Sequence, residues 1–246
     1  LQQCLAASAE ALALPAPAVS ITLLDDKHPA LATIRHLLQN RHDLVIKAAD
    51  MDEQRHGFQS LDMQLLRKCP APLWLCRPGK TQALKIAVAI DPQYEDKAGE
   101  QLSIDLLQLA LQLNNTLGQA PLNVVSCWHS ELEAGAGNPF IQLDADTVAA
   151  GLESARQEHY QALQQLFDQA QVDKNGIAVF HQKGQPRKLI PQMAKQESID
   201  LMIMGTVART GIPGFIIGNT AENILQQLEC SVLALKPAGF ISPVKG

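Results

Sequence analysis

A glycine-rich stretch carries the clearest chemical signal in this sequence. Between Gly205 and Thr220 the chain holds four glycines, and a helical pattern follows directly. Glycines let the backbone approach a ligand closely, and a helix N-terminus presents unpaired N–H groups with a partial positive charge. The pattern is typical of a loop that holds phosphate groups.

The same residues also have a purely structural interpretation. Asn219 with Glu222 three residues later is a typical helix start, close to a capping box, and Gly218 would then serve only the turn into that helix. Asp91-Pro92, behind an apolar run, is likewise an ordinary exit from a strand. Both interpretations stay open at the level of sequence.

Cys127-Trp128-His129 is the other group of residues with reactive side chains. A nucleophilic Cys needs a base within reach, but adjacent residues of a strand point to opposite faces, so we expect a core Cys and a packing Trp. The seven His residues show no metal-ligand spacing, and His159 lies on a long helix whose solvated face is its expected place. No Ser-His-Asp motif or nucleophile elbow occurs, so the sequence predicts neither an enzyme nor a metal site.

The glycine-rich stretch also contains three consecutive large apolar residues, Phe215-Ile216-Ile217. Packing of the loop onto the sheet is the ordinary explanation. If these side chains were exposed, they would line an apolar pocket suited to an acyl chain or a protein partner rather than to a triphosphate. This is the alternative function that the sequence allows.

Hydrophobic periodicity predicts the elements that position these residues. Strands are predicted at 84–90, 122–128, 177–181, 201–204 and 231–235, alternating with helices at 100–117, 145–171, 186–196 and 221–228. Such alternation produces right-handed crossovers and a parallel sheet covered on both faces, hence an α/β fold. Ligands of such sheets bind outside the carboxyl ends of the strands, where Asp91 and the glycine-rich loop both emerge.

The first part of the chain repeats the last part. With Pro29 set on Pro186, residues 42–46 fall on residues 199–203 at a constant offset of 157 residues. We therefore predict two domains, the C-terminal part of a first domain at 1–79 and a complete second domain at 80–246. Because Leu1 then falls on Glu158, about 74 residues of the first copy are missing from the front, and we expect the chain to be part of a longer protein.

The first copy keeps only its later elements and differs in its loop. We predict a strand at 19–23, a helix after Pro29, a strand at 44–47, a helix at 61–68 and a strand at 73–76. The loop at 48–60, which corresponds to the glycine-rich stretch, holds one glycine and three acidic residues. Carboxylates repel phosphate, so this copy is predicted not to hold phosphate groups.

Composition excludes several classes of protein. The 246 residues are 46% hydrophobic and carry a net charge of −5, with no dense basic cluster, which argues against a nucleic-acid surface. No apolar run approaches the roughly 18 residues of a membrane span. The five cysteines form no Cys-x-x-Cys pair, and reduced thiols in a cytoplasmic protein are the natural interpretation.

Through these features the chain resembles the universal stress protein family, and in its tandem arrangement the two-domain UspE type. The resemblance covers the whole second copy and rests chiefly on Gly205-Thr206-Val207, Arg209-Thr210-Gly211-Ile212 and Gly218-Asn219-Thr220-Ala221-Glu222. It implies two Rossmann-like domains of the adenine nucleotide alpha hydrolase-like fold, each with the sheet order 3-2-1-4-5. It also implies association through the last strands, 73–76 and 232–235, as an internal pseudo-dimer, with further edges for a homodimer.

The resemblance also implies a ligand, ATP, and residues to hold it. ATP-binding members carry Gly-x2-Gly-x9-Gly-Ser/Thr in this loop, and the matching residues here are Gly205, Ala208, Gly218 and Asn219, so two of these four positions are changed. The Asp that contacts adenosine in the family falls on Asp91. The remaining residues predicted at the nucleotide are Thr206, Arg209 and Thr220. The expected function is a bacterial stress-response binding or regulatory protein, without turnover and with a degenerate ATP loop.

Overall fold

The computed structural model describes residues 20, 22–24, 27–50, 57–58, 60–80, 82–94, 96–118, 121–130, 144–206 and 217–245. In chain order the described elements are α1 (Pro29–Asn40), β1 (Val45–Ala48), α2 (Ser60–Lys68), β2 (Leu73–Cys76), β3 (Ile86–Ala89), α3 (Lys97–Leu117), β4 (Leu122–Trp128), α4 (Ala145–Gln169), a 3-10 turn (Lys174–Gly176), β5 (Ile177–Lys183), α5 (Pro186–Gln196), β6 (Leu201–Gly205), α6 (Asn219–Leu225) and β7 (Ser231–Leu235).

The strands form one sheet in the order β1-β2-β7-β6-β3-β4-β5. From β7 to β5 all neighbours are parallel. If the five strands of the second half are numbered along the chain, their order is 3-2-1-4-5, as the resemblance implies. The predicted α/β fold with a largely parallel sheet is confirmed.

One junction in this sheet is antiparallel. β2 lies against β7, with Leu73 opposite Ala234, Trp74 opposite Leu233 and Leu75 opposite Val232. The last of these pairs joins two residues that correspond to each other at the offset of 157. A residue that faces its own counterpart marks a twofold axis between two like strands. The last strands of the two repeats are therefore joined as the resemblance implies.

Helices cover both faces of the sheet. One face packs against α3 and α4 through buried side chains such as Leu106, Leu107 and Phe167. The other packs against α1, α2, α5 and α6 through residues such as Ile34 and Met193. The central strands β3 and β6 are almost fully apolar and buried because both of their faces are covered.

Local sequence explains where the helices begin. α3 starts behind Asp96, whose carboxylate accepts a hydrogen bond from the Gly99 N–H at 2.8 Å. α4 starts in the same way behind Asp144. Aspartate is a preferred residue at this position because it satisfies an N–H that has no partner within the helix. Pro29 and Pro186 open α1 and α5, where a fixed φ and a missing N–H cost nothing.

The predicted strand at 19–23 is wrong for the part that is described. Ser20 and Thr22–Leu24 have no strand assignment, and Leu23 is 80% exposed. In the part of the chain that the structure describes, no strand lies beside this segment, and a strand is not stable without a neighbour to pair with. Within the described residues no helix is long and apolar enough to cross a membrane.

Candidate functional site

The predicted site lies at the carboxyl ends of β3 and β6, which are neighbouring parallel strands. Ala89 near the end of β3 lies opposite Met204 near the end of β6. The residues at the ends of these strands, Asp91 beyond β3 and Gly205 to Thr206 at the end of β6, therefore lie together at the same edge of the sheet. Strand β4 ends beside them and leads into His129.

Asp91 follows β3 at this edge of the sheet. Its side chain is exposed to solvent, and its Oδ1 accepts a hydrogen bond from the Gln93 N–H at 3.0 Å. Removal of water by the surrounding protein raises the pKa of this carboxyl group, while the Gln93 N–H and the neighbouring His129 act in the opposite direction. A carboxylate that is exposed to solvent and has protein around it is suited to contact a polar ligand.

Gly205 has a packing role at the end of β6. A Cβ added here would lie 2.9 Å from Cδ2 of Leu102 on α3. The missing side chain therefore lets α3 approach the strand closely, whether or not a ligand binds.

Thr206 is buried in the interior of the protein. It is 1% exposed, and its Oγ1 accepts from the Lys236 ammonium at 2.8 Å and lies 3.4 Å from the Leu235 carbonyl. Its carbonyl accepts from the Gly218 N–H at 2.9 Å, which brings the two ends of the 207–217 segment together. The hydroxyl of Thr206 thus serves the fold, and the backbone of Thr206 fixes the base of the loop.

Helix α6 begins one residue earlier than the capping-box interpretation predicts. Gly218 is the residue before the helix, and no side chain caps this end. Asn219 is the first helical residue, so the predicted capping box was wrong, and Glu222 instead forms an ion pair with Arg67 of α2. Asn219 and Thr220 are both exposed beside the base of the loop.

With this geometry established, comparison with known proteins identifies the family. The sequence pattern of the "Universal stress protein family" matches residues 84–236, more than half of the chain. This chain belongs to the universal stress protein family. It is 28% identical over 238 residues to Universal stress protein E of Escherichia coli (strain K12), covering 92% of this chain and 71% of that protein. It is 29% identical over 202 residues to a Universal stress protein E homolog of Haemophilus influenzae, covering 81% and 63%.

Solved structures agree with this assignment. A crystal structure described as a universal stress protein from Pseudomonas aeruginosa UCBPP-PA14 matches with a TM-score of 0.72 and 25% identity, covering 96% of this chain and 78% of that one. The similarity therefore extends over both repeats of the present sheet.

Part of the predicted nucleotide loop lies outside the described residues. Ala208 and Arg209 belong to this part, as do Phe215 and Ile216. Ile217 is described, and its half-buried side chain packs against the core on the α6 side of the sheet. At this residue the apolar run serves packing.

The candidate thiol at the end of β4 is poorly suited to catalysis. Burial, followed by the charge of Asp91, raises the pKa of Cys127 to about 11. The thiolate is the nucleophilic form, so this group stays in its unreactive form at neutral pH. Trp128 is buried and stacks on His181, which agrees with the packing role expected of it. Within the described part of the chain, no three His, Cys, Asp or Glu side chains gather in a way that could hold a metal ion.

The corresponding loop of the first repeat contains an internal ion pair. Residues 51–56 and 59 of this loop lie outside the described part, and hydrogen bonds join its two borders. Lys47 donates to Asp62 at 2.9 Å, to Asp50 at 2.6 Å and to the Ala48 carbonyl at 2.7 Å. The second oxygen of Asp62 accepts from the Asp50 N–H at 2.8 Å. Asp62 corresponds to Asn219 in the offset of 157 residues, so a buried carboxylate takes the place of an exposed amide.

Sequence reasoning missed the residues that tie the two repeats together at the site. Lys236 donates to Thr206 and also to the Leu66 carbonyl of α2 at 2.7 Å, and burial lowers its pKa to about 8. In the sequence, Lys236 simply follows the last predicted strand. No local pattern distinguishes a lysine that crosses to another element from a solvated one.

His159 is buried, contrary to the prediction from the sequence. The expected solvated position is wrong, because this residue is 2% exposed and its Nδ1 lies 3.0 Å from Nε2 of His181. A signal was present in the sequence. His159, Leu163 and Leu166 recur at the spacing of one helix face, and this face of α4 packs on the sheet.

Proposed function

We propose that this protein is a stress-response binding protein that holds a ligand without turning it over, and that its site is the crevice between the ends of β3 and β6. One observation carries the proposal. The parallel pairing of these strands brings the exposed carboxylate of Asp91 to the same edge as the base of the glycine-rich loop. This is where ligands of open α/β sheets bind.

An adenine nucleotide such as ATP fits the chemistry of this edge best. Asp91 is suited to accept hydrogen bonds from sugar hydroxyls, which carry no charge and tolerate a carboxylate. Asn219 and Thr220 are exposed beside the loop and can donate to phosphate oxygens. Gly218, with no side chain, leaves room for a phosphate near the backbone.

The changed loop signature argues for weak binding. Ala208 stands where ATP-binding family members carry glycine, and an alanine forced to positive φ costs about 1 kcal/mol. Thr206 and Glu222 are held by internal partners, so they are not counted among the ligand contacts. We therefore describe the second repeat as carrying a degenerate nucleotide loop.

The first repeat serves as a structural partner in this proposal. Its Lys47–Asp62 pair keeps a buried carboxylate where the other repeat has Asn219. A carboxylate there disfavours phosphate, in keeping with the acidic loop of this repeat.

We further propose that residues 1–79 form the later part of one domain and residues 80–246 a complete second one. The pairing of Leu75 with its own counterpart Val232 supports an internal pseudo-dimer of these two units. A cytoplasmic location and a homodimer built on the remaining edges complete the proposal.

Native mass spectrometry of the gently purified chain, followed by calorimetric titration with ATP, tests the function. We expect a bound adenine nucleotide or a measurable Kd, and a 5- to 30-fold weaker Kd in Asp91→Asn, equivalent to about 1–2 kcal/mol. Asp105→Asn is the matched control, because it removes an equal charge from the exposed face of α3. Gly218→Val should abolish binding by filling the space beside the backbone.

Two results would reject the nucleotide. One is the absence of any adenine nucleotide and of ATP binding in the wild type. The other is an equal effect of the Asp91 and Asp105 changes. A lipid-sized mass in the native spectrum would instead favour the apolar-ligand function, and a co-purified protein the partner-binding function.

A further inference from the structure

Aromatic rings meet where α4 packs on the ends of β4 and β5. His159 of α4 and His181 of β5 face each other, with Nδ1 of the first 3.0 Å from Nε2 of the second. Trp128 of β4 stacks on His181 with 6.0 Å between ring centroids, and Tyr160 lies on the same ring at 5.3 Å. This hydrogen bond links the helix layer to the edge strand of the sheet.

The two imidazoles share a single hydrogen. Between two facing ring nitrogens, one must donate and the other must accept. Nε2 of His159 is buried and has no partner within the described part of the chain. An N–H at that atom would be a buried donor without an acceptor, and such donors are rarer in proteins than unused acceptors. We therefore assign the shared hydrogen to Nδ1 of His159, which donates to Nε2 of His181.

In this tautomer neither ring can take a proton without loss. The lone pair of His181 is the acceptor of the bond, so a proton bound there turns this acceptor into a second donor. The bond then persists only if the hydrogen of His159 moves to its buried Nε2, where it has no acceptor within the described residues. The lone pair of His159 lies at the buried Nε2, so protonation there places a charge in the interior. The charged or titratable groups that act on the pair are His129 beyond β4 and Arg156 on α4, and both oppose a further positive charge.

We propose that the His159–His181 hydrogen bond is a pH-sensitive latch between α4 and β5, closed while His181 is neutral and opened when acidification protonates that ring. His181 also stacks on Trp128 at the end of β4, so a change in the charge of His181 alters the surroundings of this indole. The proposal depends on this geometry alone and not on the identity of the ligand.

The direction of the pH effect follows from the surroundings of both rings. Burial lowers the pKa of His159 and of His181 below the usual 6.5, and the neighbouring positive groups lower both further. A group with a lowered pKa in the folded state favours the neutral form. For a histidine, this stabilisation is fully present above pH 6.5 and is lost as the pH falls through the folded-state pKa.

Trp128 provides an optical signal for the latch. The chain contains two Trp residues, so Trp74→Phe leaves Trp128 as the only indole. We expect the emission of this variant to change between pH 8 and pH 5 with a midpoint below 6.5. Adding His159→Phe should remove the transition, whereas adding His42→Gln, which deletes an exposed histidine, should leave it intact.

Nitrogen-15 NMR of the wild-type histidines keeps the test independent of whether His159→Phe folds. We expect the Nδ1–H tautomer at His159 at pH 7.5, and titration of both paired rings below pH 6.5. The latch is overturned if either paired ring titrates at or above pH 6.5. It is also overturned if the emission of Trp128 does not change with pH, or if His159→Phe leaves the transition unaltered.

Discussion

Lys47 shares one ammonium group between two carboxylates whose surroundings differ. Asp62 is fully buried, whereas the Asp50 side chain is 38% exposed. Burial lowers the pKa of Lys47, but its hydrogen bonds and charge interactions with the two aspartates outweigh this, so that its pKa is raised overall. The value of a salt bridge depends on which partner has lost its water, because a buried charge left unpaired is costly.

Replacing either aspartate should therefore have unequal effects. We expect Asp62→Ala to lower the free energy of unfolding by about 2–3 kcal/mol, because it removes a buried acceptor of both the lysine and the Asp50 N–H. The matched change Asp50→Ala should cost less than about 1 kcal/mol, as for exposed ion pairs. Urea denaturation of the three proteins measures the difference, and equal losses would contradict this account.

Replacing Gly205 by alanine is expected to lower the free energy of unfolding only mildly. The atom that an added Cβ would meet is the end of the flexible Leu102 side chain, which can move aside. Gly205→Ala should cost about 1–1.5 kcal/mol, and Leu102→Ala in the same chain should make the glycine change nearly neutral. A double-mutant cycle in urea gives the coupling between the two positions. Additive losses would mean that packing against Leu102 is not the reason for glycine.

At the scale of single residues, the sequence predicted part of the candidate site. Asp91 and Gly218 could be placed because strand exits and helix starts leave local patterns. The internal partners of Thr206 and the burial of His159 depend on which distant element packs against each residue. Local patterns do not contain that information, and the helical spacing of His159 with Leu163 was the one available signal.

Among the elements, hydrophobic periodicity predicted the second repeat closely. The bounds of β4, α5 and β7 coincide with those predicted, because apolar runs with clear turn residues at both ends define them. The start of α6 was missed because a glycine, rather than Asn219, precedes it. The strand predicted at 19–23 did not form in its described part, because a strand needs a neighbour and not only a suitable sequence.

Gly57 of the first repeat lies against α6 of the second. We expect its replacement to destabilise the protein strongly. Its φ is +82°, and an added Cβ would overlap the Gln226 backbone behind α6. The adjacent Phe58 N–H lies 3.4 Å from the Leu225 carbonyl of the same helix. Because both the backbone angle and the space exclude a side chain, Gly57→Ala should cost about 3 kcal/mol or more.

Gly176→Ala is the matched control for this change, since nothing lies within 4 Å of its added Cβ and its φ is ordinary. We expect it to shift the free energy of unfolding by less than about 1 kcal/mol. The thermal midpoints of the two variants test this expectation. Similar midpoints would show that the segment around Gly57 can leave α6 without loss.

At the scale of the whole molecule, the junction between β2 and β7 joins the two repeats. β2 and β7 make one continuous sheet, and polar contacts cross the same boundary at several places. Arg67 pairs with Glu222, Lys236 reaches the Leu66 carbonyl, and Ser242 donates to the Lys68 carbonyl at 2.7 Å. Glu222 and Lys236 flank the candidate loop, so contacts from the first repeat hold the base of this loop in place.

This dependence predicts that one charge at the axis should disrupt the molecule. Val232 is fully buried and lies directly opposite Leu75. Val232→Asp places a carboxylate there without a partner, so we expect a loss of about 4 kcal/mol or more and a markedly lower thermal midpoint. Val179→Asp on the edge strand β5 is the control, because that side chain is 37% exposed and its charge can remain in water. An unchanged midpoint in Val232→Asp would mean that the two repeats are not held together through their last strands.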